Sequence, residues 1–209
     1  MVDARSRHVG AVRLDYDARS PLWDHVYDGT SFHDVVRQTR LAVALSMLAG
    51  RDRTVTGPAL DVGCGAGQLV GALLAAGELV AGCDISMRQV VSARTRVDGG
   101  RAIVVQADAG RLPFADGAFA TATALGLLEY LPSPGEGLRE LARVTRPGGH
   151  VVVSMPNPWR LSYLLDPVGA ILGRFGHTRP GYRRHYLSAT GLKHQMAVAG
   201  FEVKAVRGH

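Results

Sequence analysis

The chain has 209 residues, 46% of them hydrophobic and 20% charged, with a formal net charge of +6. That length suits one domain around a single buried core, and the composition excludes intrinsic disorder and collagen-like repeats. Two cysteines, Cys64 and Cys83, form no disulfide framework, no apolar run reaches the ~20 residues of a bilayer span, and Met1 to Gly10 is no secretory signal, so a cytoplasmic protein without a membrane span is expected.

Tyr16 to Gly50 is rich in helix formers, with Val35, Val36, Leu41, Val43, Leu45 and Leu48 at helical spacings. Gly57-Pro58 closes this N-terminal segment. Short apolar runs then alternate with helical stretches. The runs are Ala59–Val62, Leu79–Cys83, Ala102–Ala107, Ala118–Leu125 and His150–Met155. The intervening helices cover Gln68–Ala76, Ser86–Val97 with Ser86 as its cap, and Gly137–Thr145, which Pro147-Gly148-Gly149 ends. Strand and helix in this alternation predict a doubly wound α/β fold, its sheet mostly parallel with helices on both faces. Pro156 to Arg184 interrupts the pattern and reads as a lid insertion after the fifth strand. Ser188 to Ala199 reads as a helix and Phe201 to Val206 as a last strand.

Ligands of such sheets sit at the carboxyl ends of the strands. Three acids fall there: Asp61, Asp84 and Asp108. Between the first strand and helix runs Asp61-Val62-Gly63-Cys64-Gly65-Ala66-Gly67. Its glycines permit a tight turn and close backbone approach. Neither register completes the dinucleotide fingerprint, since Gln68 or Val70 stands where its last small residue belongs. This disfavours a nicotinamide oxidoreductase. Asp61, directly before the loop, suits a ligand with a positive amino group. Asp84 can accept both hydroxyls of a ribose, and Asp108 can accept from an adenine amino group. Any one of these acids could serve as a helix cap; three in successive units argue for a ligand.

These segments resemble the class I S-adenosylmethionine-dependent methyltransferases, of the small-molecule type. The resemblance is carried by Leu60–Gly67 (LDVGCGAG), Cys83–Ser86 (CDIS), Gln106–Phe119, Leu127–Leu131, Leu138–Val153 and Ala199-Gly200-Phe201. It implies an enzyme with S-adenosyl-L-methionine as cofactor, in which 1–57 caps a cofactor-binding domain, 58–209, that carries the lid at 156–184. It also implies that Asp61 and the loop residues Gly63, Cys64, Gly65 and Gly67 hold the methionine moiety. Asp84 takes the ribose with Ile85 against the adenine, and Asp108 and Ala109 read the adenine edge. The backbone at Leu125 meets the ligand's amino group, while Tyr16 and Arg40 close over the methionine end.

Methyl transfer from a sulfonium is an in-line displacement at an activated carbon, so alignment and exclusion of water matter more than a catalytic dyad. His185 is the candidate general base, with a capping or surface role as its competing reading. Glu129 and Tyr130 are expected to line the acceptor pocket, though Tyr130 could simply pack beneath the lid. Cys64 and Cys83 read as packed thiols, and no metal-ligand spacing occurs. The basic balance admits nucleic acid, but the arginines are scattered. Leu127-Leu128-Glu129-Tyr130 replaces the Asn/Asp-Pro-Pro-aromatic motif of amino-methylating members. A small metabolite is therefore the expected acceptor, and the apolar Leu161–Phe175 segment, which could also simply pack a lid helix on the core, makes it a partly lipophilic one; a nucleic-acid substrate, or a cofactor-binding partner subunit without catalysis, is the alternative. Family members end with two antiparallel strands after the fifth, whereas this sequence reaches His209 after one. A missing C-terminal strand predicts a weakened sheet edge or a homodimer that completes it.

Overall fold

The computed structural model describes residues 3–23, 29–97, 101–157 and 182–208. Among the described residues five strands form: β1 (Ala59–Val62), β2 (Val80–Asp84), β3 (Ala102–Gln106), β4 (Phe119–Ala124) and β5 (Thr145–Val153). They lie side by side in the order β3-β2-β1-β4-β5, every pair parallel. β1, β2 and β4 are buried at every residue, as strands covered on both faces must be. The strand order reverses between β1 and β4, so a crevice opens at their carboxyl ends.

The helices are α1 (Ala4–Trp23), α2 (Phe32–Ala49), α3 (Gln68–Ala75), α4 (Met87–Arg96), α5 (Pro134–Val144) and α6 (Ala189–Val198). Ser31 and Asp34 form a capping box at the start of α2. Ser86 caps α4, its Oγ accepting the Gln89 N–H at 3.3 Å. Alternation along β1 divides the core: Leu60 and Val62 join Leu128, Leu138 and Leu141, while Ala59 joins Val70, Leu73, Val90 and Val104.

Three sequence expectations need correction. The N-terminal helix begins at Ala4 rather than Tyr16, and a break before Ser31 separates it from α2. Pro147-Gly148-Gly149 does not precede the fifth strand but lies inside it, as a bulge. The register steps there from Phe119 opposite Thr145 to Thr121 opposite His150. A Cβ at Gly149 would lie 2.7 Å from the Ala120 carbonyl oxygen, so the bulge admits no side chain at that point. Finally, Phe201 to Val206 forms no strand. Its alternation still packs Phe201 and Val203 on the core, but no neighbouring strand takes up its backbone among the described residues. The expected lid lies largely outside the described residues, at 158–181.

Candidate functional site

The loop after β1 is bound to the end of β2. Gly63 and Cys64 both donate to the Cys83 carbonyl, at 2.8 and 3.0 Å. Gly65 donates to Asp84 Oδ2 at 3.0 Å. Gly63 and Gly67 take left-handed φ of 71° and 83°. A Cβ on Gly63 would fall 2.9 Å from Leu127 Cδ1, and one on Gly67 3.0 Å from Ala93 Cβ. The first glycine lets the fourth strand's exit loop close over the turn, and the second lets α3 start against α4.

The three acids have different surroundings. Asp61 is buried and accepts from Thr123 Oγ1 at 2.7 Å. Burial pushes its carboxyl up to about 7 against the pull of that hydrogen bond. Asp84 is buried too, and its Oδ1 accepts the Ser86 N–H at 2.9 Å. Burial raises it to about 6, although the Ser86 and Gly65 N–H groups favour its anion. Asp108 is more open: Oδ1 accepts the Gly110 N–H at 2.9 Å and Oδ2 pairs with Arg5 at 2.8 Å. Burial raises both cysteine thiols, Cys64 and Cys83, well above their ordinary range, so neither is a ready nucleophile.

A cleft with about 610 Å³ of empty space, part of it open to solvent, runs over these strand ends. Among the expected site residues, Tyr16, Gly63, Asp84, Ile85, Asp108, Ala109 and Tyr130 line it. Val9 and Val12 of α1 cover it from the N-terminal side. Tyr16 and Tyr130 meet edge-to-face, 5.3 Å between ring centroids, and burial followed by the nearby Tyr130 raises the Tyr16 phenol strongly. Asp17 fastens α1 beside the cleft by accepting from Ser86 Oγ at 2.5 Å.

The other expected residues stand one layer back. Cys64, Gly65 and Gly67 shape the loop, and Asp61 lies beneath it. Arg40 sits over Gly126, a cleft-lining glycine whose Cβ would fall 2.2 Å from Arg40 Nη1. Leu125 packs in the core beside β1 and β5, and Gly126 after it donates to Ser154 Oγ at 2.8 Å. Glu129 is 3% exposed, behind Tyr130, with Arg184 Nη2 3.6 Å from its carboxylate. The Arg184 guanidinium lies over the Tyr130 ring at 4.7 Å. His185 donates its backbone N–H to the Glu129 carbonyl at 2.8 Å, and burial lowers its imidazole below the ordinary value. Sequence reasoning missed Arg5, Val9 and Val12 and gave Asp17 no role; Arg5 and Asp17 meet Asp108 and Ser86 across 103 and 69 positions of chain, which leave no local signal. It also missed Arg184, which directly precedes the expected base His185.

Known methyltransferases are similar to this chain in sequence and in fold. A family model described as "Methyltransferase domain" matches residues 60–153. A ubiquinone biosynthesis O-methyltransferase of Pseudomonas entomophila is 30% identical over 196 residues, covering 89% of this chain and 80% of that protein. The enzyme of the same name from Alkalilimnicola ehrlichii is 32% identical over 158 residues, 73% of this chain. This chain spans only 62% of that relative's length. Magnesium protoporphyrin IX methyltransferase from Synechocystis PCC 6803, solved with bound S-adenosylhomocysteine, superposes with a TM-score of 0.74 at 22% identity, over 94% of this chain and 90% of that one.

Proposed function

This chain belongs to the S-adenosylmethionine-dependent methyltransferases, and we propose that it binds S-adenosylmethionine and passes its methyl group to an oxygen of a small, partly lipophilic acceptor. The observation that carries this reading is the cleft itself, with Asp84 and Asp108 at the ends of adjacent strands beside a glycine turn. The cleft fits such a cofactor. Its wall of Val62, Ile85, Ala107 and Leu127 takes a flat purine, and the two carboxylates meet hydroxyl and amino donors. Asp84, costly to ionise when buried, recovers lost hydration from ribose hydroxyls.

When bound, S-adenosylmethionine supplies a methyl group already activated by its sulfonium. This chain's residues bind, orient and dry the reacting groups. Asp84 accepts from the ribose with Ile85 against the base, and Asp108 with the Ala109 backbone reads the adenine edge. Gly63, Cys64, Gly65 and Gly67 give the methionine arm a backbone-lined bed above Asp61. Arg40 and the Leu125–Gly126 backbone hold its amino-acid end. Tyr16 and Tyr130 close the site against water, and Tyr130 meets the acceptor while Glu129 anchors Arg184 behind it. His185 stands outside the residues that line the cleft, but burial lowers its imidazole and so favours the neutral, proton-accepting form, and it is the residue assigned to take the acceptor's hydroxyl proton.

Support for an oxygen acceptor comes from the ubiquinone O-methyltransferases, and for a lipophilic one from the apolar Leu161–Phe175 sequence that follows β5. Two measurements test the reading. Calorimetry should give binding of S-adenosylhomocysteine and none of NADH. Labelled S-adenosylmethionine should methylate catechols or hydroquinones bearing short alkyl chains, and leave oligonucleotides unmodified. Tight cofactor binding without transfer to any metabolite extract would replace catalysis by a partner-subunit role. Labelled oligonucleotides would overturn the small-molecule acceptor.

A further inference from the structure

The N-terminal helix reaches across the cleft to its adenine end. Arg5, in the first turn of α1, sets Nη1 2.8 Å from Asp108 Oδ2 and Nε 3.2 Å from Glu136 Oε2. Glu136 belongs to the first turn of α5. One guanidinium therefore bridges the turn after β3 to a helix that follows β4. Gly110 completes the seat: a Cβ there would lie 2.4 Å from Arg5 Nη2 and 3.2 Å from Glu136 Oε2. Both carboxylates and the guanidinium are largely covered, with side-chain exposures of 20–31%. Hydrogen bonding to Asp108 raises the Arg5 guanidinium further above its already high value.

We propose that Arg5 is a positioning residue that fixes Asp108 and thereby sets how strictly the cleft takes adenine over a purine with an oxo group in place of the exocyclic amine. The inference rests on the methyltransferase reading of the cleft. The Asp108 carboxylate is gripped from outside on both oxygens, by Arg5 on Oδ2 and the Gly110 N–H on Oδ1. Each oxygen keeps a lone pair, and the grip stops the group from rotating. Asp108 and Ala109 both line the cleft, so the fixed acceptor faces the ligand space. A fixed, acceptor-only carboxylate rewards an amino group. It leaves an oxo group facing like lone pairs. Without the guanidinium only the Gly110 N–H still holds the carboxylate, which turns more easily, and part of that discrimination is lost. Nothing local in the sequence distinguishes Arg5 from the other arginines of α1.

The test compares calorimetric affinities of the full chain for S-adenosylhomocysteine and S-inosylhomocysteine, with no turnover involved. Wild type should prefer the adenosyl compound by ~10- to 100-fold, the worth of a charged hydrogen bond kept or left unmade. Arg5→Ala should lower that ratio about fivefold or more, a typical coupling between side chains in contact. Gly110→Ala should do the same by a separate route. Gly110 has no left-handed φ, so the new methyl strains no backbone; it meets the guanidinium first and then Glu136 Oε2 at 3.2 Å, and so displaces the bridge. It keeps the test decisive if Arg5→Ala fails to fold. A wild-type ratio, or a larger one, in either folded variant overturns the proposal while the methyltransferase reading stands. Absence of S-adenosylhomocysteine binding by wild type overturns that reading and this inference with it.

Discussion

The Asp84 carboxylate holds the glycine loop from the end of the neighbouring strand, accepting the Gly65 N–H at 3.0 Å on Oδ2. Its other oxygen accepts from Ser86 at 2.9 Å, so one side chain joins the loop, β2 and the start of α4. Removing it has two consequences. Asp84→Ala should weaken S-adenosylhomocysteine binding ~10- to 150-fold through lost charge-assisted hydrogen bonds. It should also lower stability by about 1–3 kcal/mol, because two covered N–H groups lose their acceptor. Calorimetry and denaturant unfolding on one preparation check both. Unchanged affinity would remove Asp84 from the site.

The buried acids make the free protein sensitive to pH in an unusual direction. Asp61 rises from an ordinary 3.8 to about 7 and Asp84 to about 6, burial being the main cause of each. The folded chain therefore holds protons that the unfolded chain has released near pH 4. Between these values folding takes up protons, so stability falls as pH rises. The penalty is absent below ~4 and complete above ~7. Asp61→Asn, which keeps an acceptor for Thr123, should flatten part of this slope and raise stability at about pH 7.5. Urea midpoints at about pH 5 and 7.5 for both proteins decide it. A slope equal to wild type would mean that Asp61 ionises as freely folded as unfolded.

Much of this site was legible because its signals are local. The runs that became β1 to β4 are short, apolar and followed by turn residues, and Asp61, Asp84 and Asp108 mark where they emerge. What failed was set by partners distant in sequence. Arg5 gains meaning only beside Asp108, and Asp17 only beside Ser86. Pro147-Gly148-Gly149 has the composition of a stop signal, yet pairing with β4 carries the strand across it as a bulge. Phe201 to Val206 has strand periodicity, but periodicity sets only which side chains face the core; a ladder also needs a neighbour.

Tyr182 offers a check on how α1 is held. Its hydroxyl donates to Asp15 Oδ2 at 2.5 Å, and its ring meets His8 edge-on at 5.9 Å. Both partners lie on the helix that covers the cleft. Tyr182→Phe keeps the ring contact and deletes the hydrogen bond to a charged group, which should cost about 1–3 kcal/mol. Amide exchange should quicken in Ala4–Trp23 more than in the sheet. Uniform exchange across both would show that α1 is held by other contacts.

Gly67 and Gly77 separate backbone strain from packing. Both take left-handed φ, +83° and +86°. A Cβ on Gly77 meets nothing within 4 Å, whereas one on Gly67 falls 3.0 Å from Ala93 Cβ and 3.1 Å from Ala93 Cα. Alanine at either position costs ~1–2 kcal/mol for the left-handed conformation alone. At Gly67 the methyl also drives into α4, whose backbone cannot yield as a flexible side chain does. Gly67→Ala should therefore destabilise by about 1–3 kcal/mol more than Gly77→Ala, the usual range for overpacking. Because the overpacked contact sits where the glycine loop enters α3, only the Gly67 variant should also lose affinity for S-adenosylhomocysteine. Denaturant midpoints and calorimetry of the pair give the comparison. Equal destabilisation would mean that α4 moves aside, and that Gly67 serves the turn rather than the packing of α3 on α4.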